Sequence, residues 1–286
     1  MLIKSTYKLW LLIFLSFGLF NQNVFCQVSQ LPNNQEHATT DSSTTSIWQD
    51  FNIGLHTGSK ILSAPAHFKA SDWVYGGLVL AATGITFLAD NNIRDNFKNI
   101  HSRFIDNVAD VGHNYGNAAY AVAFSGAIYL GGKIFRDEKF STTGRMLLEG
   151  LFYAGLTTTI LKSVIGRSRP YTEDGPSRFN GFQLKTETTS MPSGHVTVAF
   201  AMSSVLAERI DNVYASVFLY SLAASTVFQR IYSDSHWASD CIPAAVIGFV
   251  IGKAVVRFDD DFSKKVNVSV GYTPGGFALN LFYVMN

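Results

Sequence analysis

The sequence predicts an all-α protein, a bundle of about six core helices, with a C-terminal β-hairpin. Three observations predict it. Six apolar segments, each long enough for a helix, recur between about residues 73 and 256. The connectors between them are polar, as the turns of an up-and-down bundle should be. After residue 264 the periodicity changes to strict alternation.

The elements follow in order. Lys4 and Lys8 precede the apolar run Leu9 to Phe20, the form of an export signal occupying residues 1–26. Val24-Phe25-Cys26 reads as its cleavage site. A lipidated Cys26 is the alternative, which bulky Phe25 counts against. Residues 27–46, rich in Ser, Thr, Asn and Gln, read as a disordered leader. In residues 47–71, Trp48, Phe51, Leu55 and Leu62 keep a loose helical period up to a break at Pro65. An amphipathic lead-in helix is expected there, on the domain or on a membrane surface, although Asn52, Gly54 and Gly58 weaken the pattern.

The helical domain is expected over residues 72–258. Its segments are roughly Trp73 to Ala89, Ala118 to Gly132, Leu147 to Leu161, Val196 to Ala207, Asn212 to Phe228 and Cys241 to Val256. The connector Asp90 to Asp110 contains Phe97, Ile100, Phe104 and Val108 and predicts a short helix of its own. Lys133 to Arg145 and Gly166 to Met191 read as polar connectors. In residues 264–286, Val266, Val268, Val270 and Tyr272 alternate with polar residues. Pro274-Gly275-Gly276 turns, and Phe277, Leu279, Leu281 and Tyr283 alternate again. Such a hairpin is marginal alone and should dock on something, its own domain first.

Hydrophobic residues make up 47% of the 286 and charged residues 15%, below the quarter usual in soluble domains. The net charge of +1 gives no case for nucleic acid as a partner, so any positive field must be local. Cys241 is the one cysteine beyond the signal, which excludes an internal disulfide and suggests a small buried apolar residue.

Chemistry concentrates in three stretches: Lys162-Ser163-Val164-Ile165-Gly166-Arg167-Ser168-Arg169-Pro170, Pro192-Ser193-Gly194-His195, and Arg230 through His236 to Asp240. Lys162 should end the third helix, Ser193 and His195 open the fourth, Arg230 end the fifth, and His236 and Asp240 open the sixth. In an up-and-down bundle those tips share one mouth. Lys162, Arg169 and Arg230 supply positive charge for the oxygens of a phosphoryl group. Pro192 to His195 opens a helix whose free N–H groups and dipole favour an anion, and Gly194 permits close approach. His236 and Asp240 are four apart and share a helical face, so the carboxylate can orient the imidazole as a nucleophile. His195 is then the candidate general acid.

Arg167 and Arg178 belong to the same basic loop. His37, His56, His67, His101 and His113 match no pattern and read as incidental. The Asp259-Asp260-Asp261 run reads as a solvated helix end. No histidine pair or cysteine set has metal-ligand spacing.

These stretches resemble the signature of the type 2 phosphatidic acid phosphatase superfamily, which includes bacterial acid phosphatases and vanadium haloperoxidases. The pattern is Lys, six residues, Arg-Pro; Pro-Ser-Gly-His; and Ser-Arg, five residues, His, three residues, Asp. The chain departs from it only at Gln229, where the pattern has Ser. The resemblance covers about Asp72 to Val256. It implies that His236 is a nucleophile forming a phosphohistidine, that Asp240 orients it, and that His195 is the general acid. Lys162, Arg169, Ser193, Gly194 and Arg230 would form the phosphate cradle. It implies no metal and no cofactor, with vanadate acting as a phosphate-mimicking inhibitor.

The expected activity is hydrolysis of a lipid or isoprenoid phosphomonoester or diphosphate in the bacterial envelope. A soluble periplasmic broad-specificity acid phosphatase and a vanadium-dependent haloperoxidase are the alternatives. Expected partners are the phosphorylated lipid and a membrane or its surface. Only two or three segments approach the roughly 20 residues of a membrane span, Trp73 to Ala89 and Asn212 to Phe228 being free of charge. After signal cleavage, six spans would put the mouth in the cytoplasm. Yet Lys133, Arg136, Lys139, Arg145, Lys253, Arg257, Lys264 and Lys265 gather on the opposite side, which the positive-inside rule would make cytoplasmic. The conflict disappears if the whole domain is exported, periplasmic or membrane-associated, or if the N-terminal stretch is not a signal.

Overall fold

Short polar side chains set where most of the helices begin. The computed structural model describes residues 45–98, 100, 102–273 and 276–283, with side chains described through residue 259. The expected signal and nearly all of the expected leader fall outside the described residues. Helix α1 (Ile47–Ser63) opens in a capping box, with Gln49 N donating to Ser46 Oγ and Ser46 N donating to Gln49 Oε1. A 3₁₀ turn at Ala64–His67 ends it, at the expected Pro65 break. Helix α2 (Ala70–Lys98) follows. Ser102 caps α3 (Arg103–Tyr115), Asn117 caps α4 (Ala118–Phe135) and Asp137 caps α5 (Glu138–Ile165). Helix α6 is Gly194–Ile210, α7 is Val213–Tyr232, capped by Asn212, and α8 is Ala238–Lys265.

The six expected core helices correspond to α2 and α4 to α8, and the short connector helix is α3. The expected connector Lys133 to Arg145 is mostly helix, with only Arg136 and Asp137 between α4 and α5. The carboxylate of Asp137 accepts from Phe140 N at 3.0 Å, so α5 starts among polar residues that show no apolar periodicity. After α8, the backbone of β1 (Val266–Thr273) pairs antiparallel with β2 (Gly276–Tyr283), Val266 opposite Tyr283.

Helix α6 is the axis of the bundle and is buried along nearly its whole length, packed by α5, α7 and α8. The core joins Met146, Leu147, Leu151 and Ala154 of α5 to Val198, Ala201, Met202 and Val205 of α6 and Ile251, Val255 and Val256 of α8. Cys241 is buried and free, as expected.

The outer helices turn apolar side chains outward. Trp73, Val74, Leu78, Leu80, Ile85 and Leu88 on α2 are exposed, as are Tyr120, Val122, Phe124, Leu130 and Ile134 on α4. Phe152, Leu156 and Ile160 on α5, and Tyr214, Val217 and Phe218 on α7, continue the pattern. That much apolar surface is far beyond the scattered exposure of a soluble domain. Among the described residues, three helices are long and apolar enough to cross a membrane: Ala70–Lys98, Ala118–Phe135 and Ala238–Asp259. Ala238–Asp259 differs from the sequence expectation, which named Asn212 to Phe228 instead.

Helix α1 is amphipathic in reverse. Its apolar residues Trp48, Phe51, Leu55 and Leu62 face outward, while Asp50, Gly54, Thr57 and Gly58 face the protein. The glycines that weakened the helical pattern are what permit docking. A Cβ on Gly54 would press on the Glu149 carboxylate, and one on Gly58 would collide with the Tyr153 ring. Asp50 meets Arg145 in turn, so residues 50, 54 and 58 match 145, 149 and 153 at four-residue steps along α5.

Asp50 also corrects the charge count. Lys133 Nζ lies 2.5 Å from Asp50, and Arg145 bonds Glu149 (2.8 Å) and Asp259 (2.6 Å). Lys253 pairs with Glu208 at 2.8 Å. Three cations of that positive cluster are therefore paired with carboxylates. Asp259 is buried against Arg145 rather than solvated.

Candidate active site

The tips of α5, α6, α7 and α8 meet at one end of the bundle, with the C-terminal part of α2 and the end of α3 beside them. The α6 start lies against the α8 start, because Ser193 N donates to the Asp240 backbone oxygen at 3.1 Å. A Cβ added to Gly194 would sit 3.7 Å from Lys162 Cε, so the last turn of α5 lies beside the first turn of α6. Lys162 Nζ donates to the carbonyls of Thr189 (2.6 Å) and Ser190 (3.3 Å). Arg169 Nε donates to Thr186 O at 2.8 Å, and its Nη1 approaches Ser235 O at 3.4 Å. The eight residues singled out from sequence thus gather at one mouth.

Ser193 is the N-cap residue of α6, yet its hydroxyl makes no capping bond. Its Oγ is buried and has no hydrogen-bond partner among the described residues. Leaving a buried hydroxyl unpaired costs about 1–3 kcal/mol, and an anion at the helix N-terminus would satisfy it together with the free N–H groups.

His236 and Asp240 lie close, but not in direct hydrogen bond. Nδ1 is 3.6 Å from Asp240 Oδ2, and Ser190 Oγ sits between them, 3.4 Å from Nδ1 and donating at 2.5 Å to the carboxylate. Asp240 Oδ2 also accepts from Trp237 N at 3.0 Å. With its acceptors on the Nδ1 side, the ring keeps its proton there and presents Nε2. Burial, together with Lys162 and Arg169, pushes the His236 imidazole down to about 3, so it is neutral near pH 7.

His195 is pushed down to about 4 by burial and by Arg230, with Arg169 and Lys162 adding to the effect. Lys162 is lowered to about 7, first by burial and then by Arg169. Arg169 is lowered too, chiefly by burial. Each shift marks cationic groups crowded together and partly stripped of water, a site made for a multivalent anion.

The structure adds residues that the sequence did not single out and gives Arg167 of the basic loop a different place. Arg167 is not a phosphate-facing cation but is fully buried behind the site. Its Nη1 donates to Asp240 Oδ1 (2.5 Å) and Ser239 Oγ (2.8 Å), its Nη2 to Asp90 (2.7 Å), and its Nε to Pro176 O (2.9 Å). Phe87, Phe179 and Trp237 enclose the guanidinium, their ring centres 5.0–5.5 Å away. Asp90 in turn accepts from Ser239 N and Oγ. Neither Asp90 nor Ser190 falls within a motif, so only proximity reveals them. Arg178 is exposed and contributes its carbonyl, to Ser168 N.

His113 is not incidental. Its ring stacks on His195 with centroids 5.6 Å apart, and Nδ1 lies 2.8 Å from Arg230 Nη2. Arg230 Nε is held by Gln229, the residue at which the third motif departs from the pattern. At the rim, Arg94 bonds both oxygens of Asp234 (2.6 Å each) and both of Glu173 (2.7 and 3.0 Å), tying the loop after α5 to the loop before α8.

A helical bundle with these three motifs at one mouth defines a class of phosphate-handling domain. Residues 144–264, which contain all three motifs, match the PAP2 superfamily. The chain is 29% identical over 182 residues to a lipid A 1-phosphatase of Porphyromonas gingivalis, covering 61% of this chain. It spans only about a third (36%) of that relative's length. Among solved structures it is similar to Aquifex aeolicus LpxE, at 22% identity and a TM-score of 0.44, covering 59% of this chain and 94% of that one. It is also similar to a transmembrane PAP2 type phosphatidylglycerolphosphate phosphatase from Bacillus subtilis, at 18% identity and a TM-score of 0.47, covering 77% of this chain and 98% of that one.

Proposed function

We propose that the protein is a metal-independent phosphatase of a lipid or isoprenoid phosphomonoester or diphosphate, held in the membrane of the cell envelope. One observation carries the reading: Lys162, Arg169 and Arg230 crowd His195, and Lys162 and Arg169 crowd His236, at the end of a bundle whose outer helices turn apolar side chains outward. A polar headgroup reaches such a mouth while its chains stay in lipid. The match of residues 144–264 to the PAP2 superfamily and the similarity to a lipid A 1-phosphatase support the same substrate class.

In this reading the phosphoryl oxygens are held by Lys162, Arg169, Arg230, the Ser193 hydroxyl and the N–H groups from Gly194 onward. His236 Nε2 attacks phosphorus in line, forming an N–P bond as the P–O bond to the lipid alcohol breaks. His195 gives its proton to the departing oxygen. Water, deprotonated by the now neutral His195, then cleaves the N–P bond. Phosphate is released and His195 carries a proton again. The products are the lipid alcohol, or lipid monophosphate, and inorganic phosphate. Because His195 is neutral near pH 7, its proton arrives with the substrate, whose negative charge favours the imidazolium.

The test is phosphate release from a panel of lipid phosphates, nucleotides and sugar phosphates by detergent-purified protein, without added metal. His236→Ala is expected to lose at least about a thousandfold in kcat, as removal of a covalent nucleophile does. No release from any phosphoester, or full activity of the alanine variant, would end the proposal. Equal turnover of nucleotides and lipid phosphates would favour the broad-specificity reading.

A further inference from the structure

We propose that His113, on α3 and outside all three motifs, is a positioning residue of the phosphate site that fixes the Arg230 fork; this rests on the reading of Arg230 as a phosphate ligand.

Arginine has only donors, so the 2.8 Å contact between Arg230 Nη2 and His113 Nδ1 requires Nδ1 to be the acceptor. His113 therefore carries its proton on Nε2 and is neutral. Gln229 takes the Nε hydrogen from the other side. Two acceptors grip one guanidinium, and Nη1 makes no hydrogen bond among the described residues. A long side chain with about 2 kcal/mol of rotamer entropy is thereby ordered before any ligand arrives. The same His113 ring lies at a 28° tilt against His195, so it also limits where that imidazole can swing.

The backbone around His113 is built to hold it there. Gly112 and Gly116 bracket it, four residues apart. A Cβ on Gly112 would run into the Ser225 backbone of α7, and one on Gly116 would run into Thr226 and His195. Only glycine allows α3 to seat this deep. Thr226 Oγ1 donates to Gly112 O at 2.8 Å, and the Tyr115 hydroxyl bonds Ser203 of α6 at 2.7 Å, pinning the last turn of α3 to both neighbours. Apart from Gly116 against His195, these contacts lie away from the mouth, and their combined effect there is to deliver the imidazole of His113.

Three variants separate positioning from packing. His113→Phe keeps a ring on His195 and removes the acceptor. His113→Asn loses the ring but places an amide oxygen near the position of Nδ1. Arg230→Ala gives the full loss of the fork. In detergent, with a lipid phosphate as substrate and vanadate as inhibitor, His113→Phe should lower kcat/KM about tenfold and weaken vanadate inhibition by a similar factor. His113→Asn should stay within about threefold of wild type in both. Should the Phe variant fail to fold, His113→Leu carries the same expectation. The proposal falls if an acceptor-free variant folds and matches wild type, or if Asn is as impaired as Phe. A protein inactive on every phosphoester, or an unimpaired Arg230→Ala, would instead overturn the underlying reading of the site.

Discussion

Arg167→Lys is the sharpest probe of how this site is held. Arg167 sits between Asp90 and Asp240, fully buried, and donates four hydrogen bonds: to Asp90, Asp240, Ser239 and the Pro176 carbonyl. Lysine keeps the charge but offers one nitrogen where arginine offers three. It can serve one carboxylate and a neighbour, and two bonds are lost. Hydrogen bonds to charged groups are worth about 1.5–3 kcal/mol each, so losing two should cost about 3–6 kcal/mol. That matches the range for stripping a partner from a buried charge pair. At about 2–4 °C per kcal/mol for a domain of this size, the melting temperature in detergent should fall by roughly 10 °C. Asp240 would lose its Oδ1 partner and drift from Ser190 and His236, so kcat should drop by at least about tenfold. KM should change little, because Arg167 lies behind the site. If Arg167→Lys melted within about 2 °C of wild type and kept its kcat, the Asp90–Arg167–Asp240 bridge would not be what orients His236.

Two further expectations concern protons. Lys162, lowered to about 7, is charged below that pH and loses its charge as pH rises through it; inhibition by inorganic phosphate should therefore weaken on the alkaline side, after an upward displacement of the midpoint by the bound anion. In Lys162→Arg that alkaline limb should disappear from a plot of inhibition constant against pH, and its persistence would remove Lys162 as the cause. His195→Asn should cost about 10²–10⁴ in kcat for an alkyl phosphate and much less for p-nitrophenyl phosphate, whose leaving group needs no proton; equal losses on the two would remove the general-acid role.

Much of the fold and most of the candidate site were legible without coordinates, for a physical reason. Helix-length apolar runs must bury or face lipid, and that constraint is local to each run. The motif residues stand at helix tips, so connectivity alone sends Lys162, His195, Arg230 and His236 to one end. The helix ends were less legible. Polar residues such as those of 138–146 continue a helix once Asp137 caps it, and no apolar period announces this.

What only the tertiary structure decided was which polar residues meet across the bundle. Sequence showed Arg167 as one more cation of a basic loop; packing against Asp90, far away on α2, made it the support of Asp240. His113 and Ser190 carry no pattern because their significance lies in what faces them. Gly54 and Gly58 looked like flaws in an amphipathic helix until Glu149 and Tyr153 filled the space they leave. A sequence period reports which face of an element is apolar, whereas a partner many residues distant is fixed by distances that come into being only when the helices pack.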